Sequence, residues 1–268
     1  MEKTILQQDS GMDNKLCVLC MSCNQEIFEY QEMVARNTWI KNLKEHGIDV
    51  FIYKGSDKTY IDNDIIYCCS KDDLAHTFEK TKEAFSQVLD KYDFIVRTNL
   101  TTYINAELLV KYCEWLKENN YDIACGDICK NDDGYFIFRG NSFIMTNEVM
   151  SYILNSKYNN KKELHDDLAI SEILFDSKFN VCICSLRYYK DTIRKHHPNY
   201  LHEINKENLE GILFISYRLY GEDKKPLYRY FELGLAYQID SIYKTLDNNS
   251  IKNDKLIYDI KRSSFIFN

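Results

Sequence analysis

Apolar residues fall in short runs along this chain, and the runs alternate between two spacings. "LCVLCM", "IDVFIY", "DIIYC", "DFIVRT" and "YDIACG" are brief apolar stretches bounded by polar residues, the pattern of buried β-strands. Between them lie longer segments with helical spacing. "EIFEYQEMVARNTWIKNLKEH" places Ile27, Tyr30, Val34 and Ile40 on one face and predicts a single helix ended by Gly47. "SKDDLAHTFEKTKEAFSQVLDKY" carries Leu74, Phe78, Thr81, Phe85 and Leu89 on one stripe, with Ser70 and Asp73 at capping-box spacing. "AELLVKYCEWLKEN" is the next helix, and Gly55 is expected to turn the chain after the second strand.

Farther on, "GYFIFR" and "SFIMT" on either side of Gly140 predict a hairpin-like pair, and "ELHDDLAISEIL" predicts a buried helix. "GILFISYRL" reads as a strand and "PLYRYFELGLAYQIDSIYKTL" as an amphipathic helix packed on the sheet. This order predicts an α/β fold whose mixed, largely parallel sheet is flanked by helices, with antiparallel additions in the second half. There is no internal repeat and no low-complexity linker. The expected organisation is a disordered tail over 1–14 and one domain over 15–268.

Composition narrows the function classes. A net charge of −7 argues against a nucleic-acid binder, because neutralising phosphates requires a basic face. No apolar run approaches the roughly 20 residues of a membrane-spanning helix, and "MEKTILQQDSGMDNK" lacks the apolar centre of a signal peptide. The expected location is cytoplasmic, with association at a membrane face left open. The cysteines of "CVLCMSC" resemble a metal site until their setting is considered. On a strand rising about 3.3 Å per residue, Cys17 and Cys20 point to opposite faces and lie about 10 Å apart, too far to share one zinc.

Ligands in open α/β sheets bind at the carboxyl ends of the strands. Ser22 and Asn24 follow the first strand, where they can bind a nucleobase or ribose or simply cap a helix. Arg97, Thr98, Asn99 and Thr101 end the fourth, a cation and a polar turn where a core strand would stay apolar. Asp166 and Asp167 open a buried helix; one aspartate there satisfies free N–H groups, and a second can project into a cleft. Arg218 lies in an apolar stretch and needs an anionic partner, while Arg194, Lys195 and His197 form a cationic group nearby in sequence. No GxGxxG or Walker sequence is present, which sets aside dinucleotide and P-loop readings.

In order and spacing these pieces resemble glycosyltransferases of the GT-A (Rossmann-like) fold, near the fringe-like and β-1,3-galactosyltransferase-like group, from about Lys15 to Arg229. "RNTW" matches an Arg-x-x-Trp pattern in the first helix, and "RTNLTTYIN" aligns with a strand ending in a lysine, a threonine, three aspartates and a "TFVN"-like tail. "FRGNSFIMT" matches a glycine-centred segment, and Asp166–Asp167 an acidic pair opening a helix. The resemblance implies inverting transfer of a sugar from a nucleotide-sugar donor, UDP-linked, to a glycan or polysaccharide hydroxyl. Inversion calls for one carboxylate as general base, and of the acidic pair Asp167 is read as that base, with Asp166 as the alternative. Ser22, Asn24, Arg36, Arg97, Thr98, Asn99, Thr101 and Arg218 would bind the donor, and Phe138, Arg139, Gly140 and Asn141 the acceptor. Arg194, Lys195 and His197 would neutralise the diphosphate.

In that family the aspartate triplet carries a metal, and a histidine adds a second ligand. Here Asn99, Leu100 and Thr101 replace the triplet, and Ser216 stands where the histidine is expected. A threonine hydroxyl is a poor sole ligand for Mn²⁺ or Mg²⁺. The reading is therefore an enzyme weakly dependent on metal or independent of it, unless Asp127, Asp132 or Asp133 rebuilds a site. Two rivals stand beside it: a catalytically inactive glycan-binding protein, and a nucleotidyltransferase, which would demand two carboxylates converging on a metal.

Overall fold

The computed structural model describes residues 15–125, 128–130, 136–138, 142–158, 164–175, 177–183, 187–188, 213–217, 227–246 and 265–266. The apolar runs are strands. β1 (Leu16–Met21), β2 (Asp49–Ser56), β4 (Ile65–Cys69) and β5 (Phe94–Asn99) form the parallel centre, joined by β7 (Ile123–Cys125) and β11 (Val181–Ile183). β3 (Tyr60–Asp62), β10 (Ser142–Thr146) and β14 (Phe265–Ile266) run antiparallel to their neighbours. The sheet order is β14-β11-β7-β10-β5-β1-β2-β4-β3. The protein is thus a mixed α/β fold with a largely parallel sheet flanked by helices.

The two faces of the sheet bury separate cores. On one, α1 (Glu26–Asn37), α2 (Trp39–Glu45), α4 (Ala106–Glu118) and α7 (Leu227–Tyr243) contribute to a cluster containing Val18, Cys20, Val96 and Trp39. On the other, α3 (Thr77–Val88), α5 (Asn147–Asn155) and α6 (Asp166–Leu174) cover Cys17, Leu19, Ile95 and Phe143. Strand alternation therefore sends Cys17 and Cys20 to opposite faces, as their spacing predicts. Burial pushes both thiols up, away from the thiolate form that binds metal.

Four expectations need correction. The first predicted helix is two, because Thr38 leaves helical geometry at φ −119°, ψ −108° and its hydroxyl donates back to the Val34 carbonyl at 2.7 Å. Gly47 does end the second one, at φ 74°. Gly55 lies inside β2 instead of turning the chain, and the turn to β4 passes through the short strand β3, which the periodicity does not announce. Ser70 and Asp73 form no capping box. Helix α3 begins only at Thr77, and Asp73 accepts from the His76 amide at 3.0 Å. "SFIMT" pairs with β5 and β7, not with its predicted partner, because Phe143, Ile144 and Met145 are all buried and suit a strand covered on both faces. β9 (Phe136–Phe138) pairs instead with β8 (Ile128–Lys130).

A small second sheet completes the edge that matters. β6 (Thr102–Ile104) runs antiparallel to β13 (Phe214–Ser216), which is parallel to β12 (Arg187–Tyr188).

Candidate active site

The carboxyl ends of the parallel strands are tied together by a set of charged side chains. The Asp72 carboxylate accepts from the Asn24 amide at 2.7 Å, the Gly55 amide at 2.9 Å and the Lys80 Nζ at 2.7 Å. One aspartate, in the segment after β4, thereby joins the segment after β1, the end of β2 and α3. Lys80 also donates to the Ser22 carbonyl at 2.9 Å, and the Asn24 side-chain amide donates to the Gly55 carbonyl at 2.8 Å. Gly55 is required here, because a Cβ would stand 2.4 Å from the Ser70 carbonyl oxygen. Beside this clamp the buried Ser22 hydroxyl donates to Glu32, whose carboxylate also accepts from Lys54 at 3.3 Å.

Ser22 and Asn24 are therefore at the expected strand end, holding the loop in shape. Asp72, Lys80, Lys54 and Glu32 are not anticipated by the sequence reading. The signal was present for Lys54: "FIYKGS" ends an apolar strand with a cation, as "FIVRTN" does.

Arg97 faces the α3/α6 side of the sheet, with Leu19 and Phe143 as its strand neighbours. Its guanidinium meets the Asp166 carboxylate at 2.6 Å, and both side chains are under 5% exposed. Burial disfavours the guanidinium charge, but Asp166, Tyr53 and Asp167 together outweigh it and hold Arg97 above its ordinary pKa. Asp166 is fixed further: Thr81 Oγ1 donates to it at 3.0 Å, and its amide donates to Thr77 Oγ1 at 3.2 Å. The Tyr53 hydroxyl lies 3.0 Å from Thr81 Oγ1 and extends the network to β2. Arg97 and Asp166 thus face each other in the core, and neither the donor contact expected of Arg97 nor the base expected as the alternative to Asp167 matches that burial.

Asp167 follows on the same helix start and is half-buried; its Oδ1 accepts from the Leu168 amide at 3.0 Å. His165 Nδ1 lies 3.2 Å from the Leu74 carbonyl, so the helix begins against the segment leaving the carboxyl end of β4. α6 also packs against β9, which contains Phe138, an expected acceptor residue.

The turn from β5 to β6 is closed on itself. Asn99 Oδ1 accepts from the Thr101 amide at 3.1 Å, the Thr101 hydroxyl at 2.8 Å and the Thr102 hydroxyl at 3.3 Å. Thr98 and Ser142 hydroxyls pair at 2.9 Å across the sheet. Ser216 is in register with Thr102, and the Tyr217 amide donates to the Thr101 carbonyl at 3.0 Å, so the two expected metal-ligand positions are brought together. Their chemistry does not fit a divalent ion. Thr101 is buried and its hydroxyl already bonds Asn99, whereas Mn²⁺ and Mg²⁺ require several oxygen ligands. Among the described residues no group of three His, Cys, Asp or Glu side chains could hold a metal.

Arg36 is placed elsewhere. It ends α1 and bonds Asp64 at 2.5 Å, in the turn between β3 and β4, together with Lys44. Burial alone would raise the Asp64 pKa, but hydrogen bonds from these two cations hold it at about 2. Arg36 is thereby engaged in fastening helices to an edge hairpin. Arg139, Gly140, Asn141, Arg194, Lys195, His197, Arg218, Asp127, Asp132 and Asp133 lie outside the described residues, as does the tail over 1–14. No helix among the described residues is long and apolar enough to cross a membrane.

Two solved structures show weak likeness. A 4-diphosphocytidyl-2C-methyl-D-erythritolsynthase from Anaerococcus prevotii DSM 20548 is 14% identical over 62% of this chain and 86% of its own, with a TM-score of 0.38. A glycosyltransferase involved in the glycosylation of the major capsid of PBCV-1 is 11% identical over 83% of this chain and 98% of its own, with a TM-score of 0.46. No family model matches the sequence, and no curated protein does. At these scores the topology rests on the strand order and register given above.

Proposed function

We propose that this chain is a glycosyltransferase. It moves a sugar from a nucleotide-sugar donor, UDP-linked, to a glycan or polysaccharide hydroxyl, with inversion and without a tightly held metal. The observation that supports the reading is the division of labour at the start of α6. Asp166 is locked to Arg97 in the core, and its neighbour Asp167 is half-exposed near the carboxyl edge of the parallel sheet.

In the proposed step the Asp167 carboxylate takes the proton from the acceptor hydroxyl. The acceptor oxygen bonds to the anomeric carbon as the bond from that carbon to the donor phosphate oxygen breaks. The electron pair of the broken bond leaves on the nucleoside diphosphate, and the transition state has oxocarbenium character. A general base must be ionised and within hydrogen-bond reach of the proton it takes. Charge on the leaving diphosphate falls to arginine, lysine or histidine donors, a role that cations can perform without a metal. Arg218, Arg194, Lys195 and His197 are the candidates in the sequence.

One observation favours a second reading, a glycan-binding protein without catalysis. Asn99 and Thr101, expected at the donor, bond each other within their own turn. Calorimetric titration with UDP, once with Mn²⁺ and once with EDTA, separates the two. Equal binding in both is the result expected of the metal-independent enzyme. Binding with Mn²⁺ alone contradicts metal independence, and no binding of UDP or GDP favours the glycan binder.

A further inference from the structure

Arg97 is a costly residue to place where it is. A buried guanidinium and a buried carboxylate each lose several kcal/mol of hydration, so an ion pair in this setting adds little net stability compared with apolar packing. Two apolar side chains would satisfy the core between Leu19, Phe143 and α6 at least as well. What the pair provides and apolar packing does not is direction. A guanidinium–carboxylate contact has a fixed planar geometry, and here it is one of several constraints on a single residue. Asp166 is held by Arg97 at 2.6 Å, by Thr81 Oγ1 at 3.0 Å, and through its amide by Thr77 Oγ1 at 3.2 Å.

The consequence falls on the next residue. Successive residues on a helix are about 100° apart, since a turn takes 3.6 residues. Fixing Asp166 toward the core fixes the rotational phase of α6 and with it the direction in which Asp167 leaves the backbone. Arg97 itself sits in the central strand β5, paired on both sides by β1 and β10. We propose that Arg97 is a positioning residue: through Asp166 it sets the orientation of Asp167, and it touches neither donor nor acceptor. This rests on Asp167 being the base, and it replaces the donor contact that the sequence suggests for Arg97.

The test compares the unsubstituted chain with Arg97→Lys and with the double variant Arg97→Met/Asp166→Asn. The double variant removes both charges together, so neither is left buried alone. Two readouts are taken: steady-state transfer with UDP binding, and hydrogen exchange at the amides of 166–169. A displacement of about 1 Å at a catalytic group can cost about 100-fold in rate. The double variant should lose about 100-fold in kcat and Arg97→Lys about 10-fold, both with the UDP Kd within about twofold of the unsubstituted chain. Exchange at 166–169 should accelerate while exchange in β5 stays slow.

A UDP Kd weakened tenfold or more by Arg97→Lys would make Arg97 a donor contact and overturn the proposal. Unchanged kcat in the double variant would overturn it as well. If the unsubstituted chain transfers no sugar, the proposed activity fails, and exchange still decides the anchor: unchanged protection at 166–169 removes it.

Discussion

At the level of single residues, the polar groups nearest the sheet edge hold the loops before they can meet any ligand. Gly55 shows this most plainly. With a Cβ at 2.4 Å from the Ser70 carbonyl oxygen, Gly55→Ala must push the β4 exit away from β2 and strain the Asp72 clamp. The obstruction is backbone, which cannot swing aside as a side chain would. Overpacking of this kind costs about 1–3 kcal/mol, so denaturant unfolding should show a loss of that size for Gly55→Ala. A loss below about 0.5 kcal/mol, within the range of ordinary surface substitutions, would mean that the two segments part easily.

Among the elements, strands and helices were legible wherever an apolar run had one period and clear ends. β1, β2, β4, β5, α4 and α7 follow from their runs, and the opposed faces of Cys17 and Cys20 follow from strand alternation. The misreadings arise where an element is set by a distant partner. α3 starts late because the preceding residues turn toward β2, where Asp72 meets the Gly55 amide. β10 joins the sheet centre because only there are both faces of "SFIMT" covered. The site was half legible for the same reason. Arg97 and Asp166–Asp167 stand out in sequence, but nothing local shows that the arginine and the first aspartate face each other. The β5–β6 turn is also a matter of connection. Asn99 accepts three hydrogen bonds from the backbone and hydroxyls that follow it, so Asn99→Ala should lower stability by about 1–2 kcal/mol. Asn99→Asp, which keeps the acceptor, should recover most of that loss; equal losses in the two variants would show that the side-chain oxygen is not what holds the turn.

For the molecule as a whole, the β3–β4 edge of the sheet has its own electrostatic fastening. Asp64 joins α1 and α2 to the β3–β4 hairpin through Arg36 and Lys44. Its folded pKa of about 2 lies below the ordinary value of about 3.9 for an unfolded aspartate. A depressed carboxylate pKa stabilises the fold above the unfolded value, and that stabilisation disappears as pH falls through the folded one. The contribution is at most about 2 kcal/mol, given the partial exposure of the group. Asp64→Asn should therefore be less stable than the unsubstituted chain at pH 7, with the difference closing between about pH 4 and about pH 2. A difference that stays constant across that window would rule out linkage through Asp64.

The central claim is that Asp167 is the base of a glycosyl transfer at this edge, beside an Asp166 that is occupied by Arg97. Its most direct measurement is the release of nucleoside diphosphate from UDP-sugars in the presence of mixed glycan acceptors, comparing the unsubstituted chain with Asp167→Asn. General bases contribute about 10²- to 10⁴-fold, so Asp167→Asn should retain no more than about 1% of the acceptor-dependent rate while binding UDP within about twofold of the unsubstituted chain. Acceptor-dependent release that survives Asp167→Asn at the full rate would contradict the account.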